Sequence, residues 1–193
     1  MKEKKLKTFL VASPLPAEGT STVLVNLGTF LADKTKRRVL LIDANLRHPS
    51  LHTLLKSFNV TNTSGLADVL EERKPFDEAV QQAGKHLSVL TAGSTQSNPL
   101  TLLGLSGMSD LLQRARMEYD AVLVDGPAMS TYRDSLALTP LVDGVLLVIK
   151  EGNRSRQVLQ VAMKPLNQLN GKLLGAVISH RTFAIPKVLY NWL

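Results

Sequence analysis

Six short apolar runs punctuate the chain: "TFLVAS" (8–13), "RVLLID" (38–43), "LSVLTA" (87–92), "AVLVD" (121–125), "GVLLVIK" (144–150) and "LLGAVIS" (173–179). Several are nearly continuous in hydrophobicity instead of alternating, the pattern of parallel strands buried on both faces. Between them, apolar residues at helical spacing predict helices over 21–34, 50–57, 64–72, 99–117, 134–140 and 153–170. In the third of these, Ser64 is the expected cap, with Asp68 behind it and Leu66, Val69 and Leu70 forming the apolar face. Strands alternating with helices predict an α/β, doubly wound, mainly parallel sheet with helices on both faces and right-handed crossovers. With no internal repeat and no long linker, residues 1–193 read as one domain.

Composition narrows the class. Hydrophobic residues make up 44% of the chain, which excludes a disordered tail. No apolar run approaches the ~20 residues that span a bilayer. The start, "MKEKKLKTFLVAS", is basic and then apolar, but its apolar part runs directly into a glycine-containing turn, so it reads as a first strand and not a secretory signal. The lack of cysteine excludes disulfides, iron–sulfur ligation and thiol catalysis. The cytoplasm is the expected compartment. A net charge of +7 suits either simple solubility or an acidic partner such as nucleic acid or an anionic membrane. Apart from "KEKKLK" and "KTKRR" the basic residues are scattered along the sequence.

The chemistry concentrates after the first strand. "SPLPAEGTST" (13–22) has the layout of a phosphate-binding loop, in which strand, glycine turn and a Ser-Thr pair open a helix. Glu18, Gly19, Thr20, Ser21 and Thr22 are the candidate nucleotide-binding residues, and the Ser21 hydroxyl suits Mg²⁺. A lysine is expected after Gly19, and Thr20 stands there. A charge pair at ~4 Å and effective dielectric near 20 contributes on the order of 4 kcal/mol. That is roughly a thousandfold in affinity. Lys7 sits about 20 Å away along the first strand and cannot substitute. Arg47, which follows the second strand on the same sheet edge, is the candidate replacement. A helix-capping turn that never meets phosphate remains the alternative.

Asp43 and Asp125 each close an apolar strand, and ligands of open parallel sheets bind beyond such carboxyl ends. Together with Ser21 they form the expected Mg²⁺ set. His48 and His52 have helical metal-pair spacing, but Pro49 intervenes and no third ligand is evident, so no metal is assigned to them.

"SPLPAEGTSTVLVNLGTFLA", "VLLIDANLRHPSLHTLL" and "YDAVLVDGPAMSTYRDSLALTPLVDGVLLVIKEG" resemble the Walker A, Walker A′ and Walker B blocks of the bacterial tyrosine kinases that govern capsular and exopolysaccharide export. "SGLADVLEE" and "LTAGSTQSNPLTLLGLSGM" resemble the segments between them, so the likeness runs in order through nearly the whole chain. It implies a P-loop NTPase fold related to the septum-site and partition ATPases, with ATP or ADP and Mg²⁺ as cofactors. It also implies a cytoplasmic protein at the inner membrane face, paired with a membrane-embedded polysaccharide co-polymerase. By this likeness Ser21 and Thr22 contact Mg²⁺ and phosphate, Asp125 is the Walker B metal residue, and Asp43 activates the tyrosine hydroxyl. Arg47 matches the arginine of the Walker A′ block.

The sequence departs from that pattern at Thr20, at Ala17 in place of a glycine, at Asn45 in place of the second Walker A′ aspartate, and at Ser179 in place of a base-contacting asparagine. An alanine needing positive φ at position 17 costs ~1–2 kcal/mol. Tyr190 stands alone where the kinases carry a tyrosine-rich tail, and the arginine-bearing segment through which they form rings has no counterpart, so a ring is not expected, though self-association stays among the candidate interactions. Three readings follow. One is a pseudokinase that regulates polysaccharide synthesis by binding. Another is an active autokinase with Arg47 or a partner supplying the missing charge. The last is a partition-type ATPase directed at DNA, disfavoured because no basic surface helix stands out.

Overall fold

The computed structural model describes residues 6–104, 106–152 and 156–180. Tyr190, most of the "KEKKLK" run and the first residues of the helix expected over 153–170 lie outside them. The elements are β1 (Thr8–Ala12), α1 (Thr20–Thr35), β2 (Val39–Asp43), α2 (Leu51–Leu54), α3 (Leu66–Leu70), α4 (Phe76–Ala79), β3 (Gln81–Gln82) and β4 (Leu87–Leu90), followed by α5 (Pro99–Gly104), α6 (Ser106–Glu118), β5 (Ala121–Asp125), α7 (Asp134–Leu138), β6 (Gly144–Lys150), α8 (Arg156–Gln168) and β7 (Leu173–Ser179). The strands form one sheet in the order β3-β4-β2-β5-β1-β6-β7. All pairings are parallel except β3 with β4.

Every residue of β2, β4 and β5 is buried, as continuous apolar runs require when helices cover both faces. Alternate side chains feed two cores. Leu10, Leu40, Ile42 and Val124 pack with Leu103, Met108, Leu112 and Leu138 from the helices of one face. Val11, Val39, Leu41 and Leu123 pack with Leu24, Ala32 and Leu51 on the other. Gly28 lets α1 press onto the sheet, since a Cβ there would sit 2.5 Å from Leu41 Cδ2. From β1 the chain crosses by α1 to β2, and from β5 by α7 to β6, in opposite directions along the sheet. The neighbouring strands β1 and β5 therefore flank the switch point where an open sheet has its crevice.

The differences from expectation are local. The helix expected from Ser64 begins instead after Gly65, whose N–H donates to Asp68 Oδ2 at 2.8 Å, and it ends at Leu70. Ser64 is not the cap. The segment 50–57 is a single helical turn followed by a 3₁₀ turn at Lys56–Phe58. The helix expected over 99–117 is two helices, α5 and α6. The short α4 and β3 lacked enough residues to show periodicity. β7 has its expected bounds, yet it is largely exposed because it is the sheet edge.

Candidate functional site

The crevice between the ends of β1 and β5 opens into a cavity of about 560 Å³. Its walls include Ala17, Gly19, Thr20, Ser21 and Thr22 from the loop after β1, Asn45 and His48 after β2, and Tyr132 after β5. Gly19 takes φ +82° and turns the chain into α1, whose first turn has no side-chain cap. The first N–H groups of such a helix lack partners within it and face outward with the positive end of its dipole. A 16-residue helix opening on this cavity is a ready anion site.

The strain expected at position 17 is present, for Ala17 has φ +59°. Glu18 is buried and braces the loop from within: its carboxylate accepts the Leu15 N–H at 3.1 Å and the Lys150 N–H at 3.3 Å. Ser179, at the end of β7, donates its hydroxyl to the Glu18 carbonyl at 2.6 Å. His180 lies against the same turn, with Cε1 only 3.1 Å from where a Gly19 Cβ would be.

Beneath the loop, Asp43 and Asp125 face each other in register on β2 and β5. Both are fully buried. The Ser21 hydroxyl donates to Asp125 Oδ2 at 2.6 Å, while Asp125 Oδ1 is buried without a hydrogen bond. Burial raises the Asp125 pKa well above the usual carboxylate range, the Asp43 charge adds to the rise, and the Ser21 hydrogen bond offsets part of it. Burial also raises Asp43, against the N–H groups of Leu51, Ser50 and Asn45 that it accepts at 3.0, 2.9 and 3.2 Å. Those bonds pin the chain after β2 to the end of its own strand. A buried carboxylate oxygen without a partner, beside a hydroxyl and a second carboxylate, is the oxygen set that suits Mg²⁺. These residues fit the ion.

Arg47 is engaged elsewhere. Its Nε donates to Asp134 Oδ2 at 2.7 Å, and its guanidinium carbon stands 4.3 Å from the centre of the Tyr132 ring. The hydrogen bond to Asp134 raises the Arg47 pKa further. Among the described residues that line the cavity there is no lysine and no arginine. Lys7, as its distance implied, is remote: its Nζ donates to the carbonyls of Arg116 and Tyr119.

No family model matches the sequence. The tyrosine-protein kinase YwqD of Bacillus subtilis is 37% identical over 178 residues, covering 92% of this chain and 73% of that protein. The chain belongs to the bacterial tyrosine kinases. The kinase domain of the Escherichia coli tyrosine kinase ETK superposes with a TM-score of 0.85 at 30% identity, over 96% of this chain and 73% of that one. The succinoglycan biosynthesis transport protein ExoP of Rhizobium meliloti is 33% identical over 180 residues, 90% of this chain but 22% of its own length.

Within this bacterial tyrosine kinase fold, the loop residues 17–22 reach the cavity, and Ser21, Asp43 and Asp125 meet under it. Neither carboxylate is itself among the lining residues, and Asp43 turns its oxygens toward 45–51. Asp134 and Tyr132, which hold Arg47, were missed in the sequence. The signal available was an acid at the first position of a short helix after Walker B, which by itself indicates only a favourable helix start.

Proposed function

We propose that this bacterial tyrosine kinase homologue binds nucleotide weakly and regulates exopolysaccharide chain length and export, with phosphoryl transfer impaired or lost. It would act beside a membrane-embedded polysaccharide co-polymerase. Kinship with a succinoglycan biosynthesis transport protein supports the setting. The observation carrying the impairment is the cavity wall, where no lysine or arginine stands among the described residues, and Arg47 is bound to Asp134.

The binding chemistry that remains is substantial. The N–H groups at the start of α1 would surround phosphate oxygens, with the Thr20 and Thr22 hydroxyls as further donors. Ser21 and Asp125 would hold Mg²⁺, with Asp43 beside them; bound there, the ion supplies positive charge against the phosphates. Asp43 would take the proton of an incoming tyrosine hydroxyl only after giving up N–H bonds to the 45–51 segment. Phosphoryl transfer depends on positioned positive charge more than on any covalent step, so loss of a fixed cation weakens catalysis more than binding.

The intact Ser21–Asp125–Asp43 set favours a second reading, an active autokinase whose missing charge comes from Arg47 or from a partner. Calorimetric titration with Mg·ATP and Mg·ADP, followed by phosphotyrosine detection, separates the two. Millimolar or absent binding with no labelling supports the regulator. Micromolar binding with labelling that Asp43→Asn abolishes supports the autokinase.

A further inference from the structure

The strands of this sheet begin at the end opposite the cavity, and the fold collects there basic residues that are far apart in sequence. β2 is preceded by Lys36, Arg37 and Arg38, with Lys34 in the last turn of α1 beside them, and all four are exposed. The neighbouring strand β4 is preceded by Lys85 and His86, and the Val39 N–H donates to the His86 carbonyl at 2.9 Å, locking the two turns side by side. Lys172, also exposed, precedes β7 at the far edge of the same end.

The carboxylates at this end are largely occupied. Asp143 is bound by Lys7, Thr8 and Arg116. Asp120 accepts the Arg38 N–H at 3.0 Å, and Glu118 pairs with Arg114. Only Asp33 stands exposed without a described partner, whereas no salt bridge among the described residues engages Lys34, Lys36, Arg37, Lys85 or Lys172. Met117, three residues before Asp120, is 76% exposed at this same end, an apolar side chain set among the charges.

We propose that this end of the sheet docks on an anionic phospholipid surface. Exposed Lys34, Lys36, Arg37, Lys85 and Lys172, outside any described salt bridge, with the exposed apolar side chain of Met117 at the same end, match a layer of negative headgroups over an apolar interior. Among the described residues these cations sit in the turns before β2, β4 and β7 and in the last turn of α1, and no whole helix presents them to a nucleic acid groove, which favours lipid over DNA. Five-residue strands separate this end from the cavity by about 17 Å, so a docked molecule presents its cavity away from the membrane. The surface is independent of whether the cavity transfers phosphate.

The test is co-sedimentation of the full chain with vesicles of phosphatidylcholine mixed with phosphatidylglycerol, against vesicles of phosphatidylcholine alone. Binding to the mixed vesicles only, falling steeply with added salt, is expected. Each lysine or arginine near such a surface contributes about fivefold in affinity, so Lys34→Gln, Lys36→Gln, Arg37→Gln and Lys85→Gln together should reduce binding by more than a hundredfold. Single Lys36→Gln and Lys85→Gln variants, each expected to lose about fivefold, stand in if the combined variant melts early. Absence of binding to the mixed vesicles, equal binding to neutral ones, or full binding by the single variants overturns the proposal. Retention of a DNA duplex with no retention on vesicles overturns it in favour of nucleic acid.

Discussion

Asp43 and Asp125 stand opposite one another on adjacent parallel strands, both wholly buried, and only one of them is well supplied with hydrogen-bond donors. Asp43 accepts three backbone N–H groups, while Asp125 has the Ser21 hydroxyl on one oxygen and nothing on the other. The asymmetry makes Asp125 the group that an added cation relieves.

An Asp125→Asn variant is therefore expected to stabilise the ligand-free protein. The raised pKa of Asp125 means that its ionised form opposes folding once pH exceeds the ordinary carboxylate value, and the penalty shrinks as pH falls back toward that value. Removing the charge should gain about 1–3 kcal/mol at neutral pH, less in acid. Urea midpoints at several pH values measure this. A lower midpoint at neutral pH would show that the carboxylate is already compensated. The same variant should lose any stabilisation by added Mg²⁺ with nucleotide.

Asp143 makes the opposite case. Burial pushes its pKa up, but the Lys7 and Thr8 N–H groups, the Thr8 hydroxyl and Arg116 outweigh burial and hold it at about 2. A lowered carboxylate contributes stability that is complete above its unfolded value near 3.8 and lost as pH falls through about 2. Asp143→Asn should cost about 2 kcal/mol at pH near 7 and almost nothing at the acid limit. Thermal melts across that range would detect it, and an unchanged neutral Tm would count against the clamp.

Ala17→Gly should stabilise the loop. The alanine sits at φ +59°, where an L side chain costs ~1–2 kcal/mol. Glycine returns part of that as unfolded-state entropy, leaving a net gain of about 0.5–1 kcal/mol. Equilibrium denaturation without ligand tests it, and a loss instead would mean that the Ala17 methyl packs favourably in the cavity wall.

Restoring the charge, Thr20→Lys, should tighten Mg·ATP by about tenfold or more, a conservative share of what one fixed charge contributes against phosphate at ~4 Å. Position 20 already lines the cavity at the opening of α1. Calorimetry on the variant reads the gain directly, and no gain would mean that the loop cannot wrap phosphate at all.

The strands, the sheet type and the glycine turn that opens α1 were legible in the sequence because each depends on neighbours along the chain. Continuous apolar runs of about five residues specify buried parallel strands, and a glycine before Ser-Thr specifies a helix opening. The departures at Ala17 and Thr20 were equally legible, because the positive φ and the missing charge belong to single positions. Short elements such as α4 and β3 were not, having too few residues to carry a period.

What only the tertiary structure decided is which charges meet. Arg47 and Asp134 are 87 residues apart, and nothing local announces that the cation expected at the cavity is bound elsewhere. The "KTKRR" run was visible in the sequence, but that Lys85 and His86 stand beside it followed only from strand pairing. Hydrophobic pattern fixes where a strand runs, but its neighbours follow from crossover direction and packing on two faces. Charge acts through space, so its partners become known only once the strand order is.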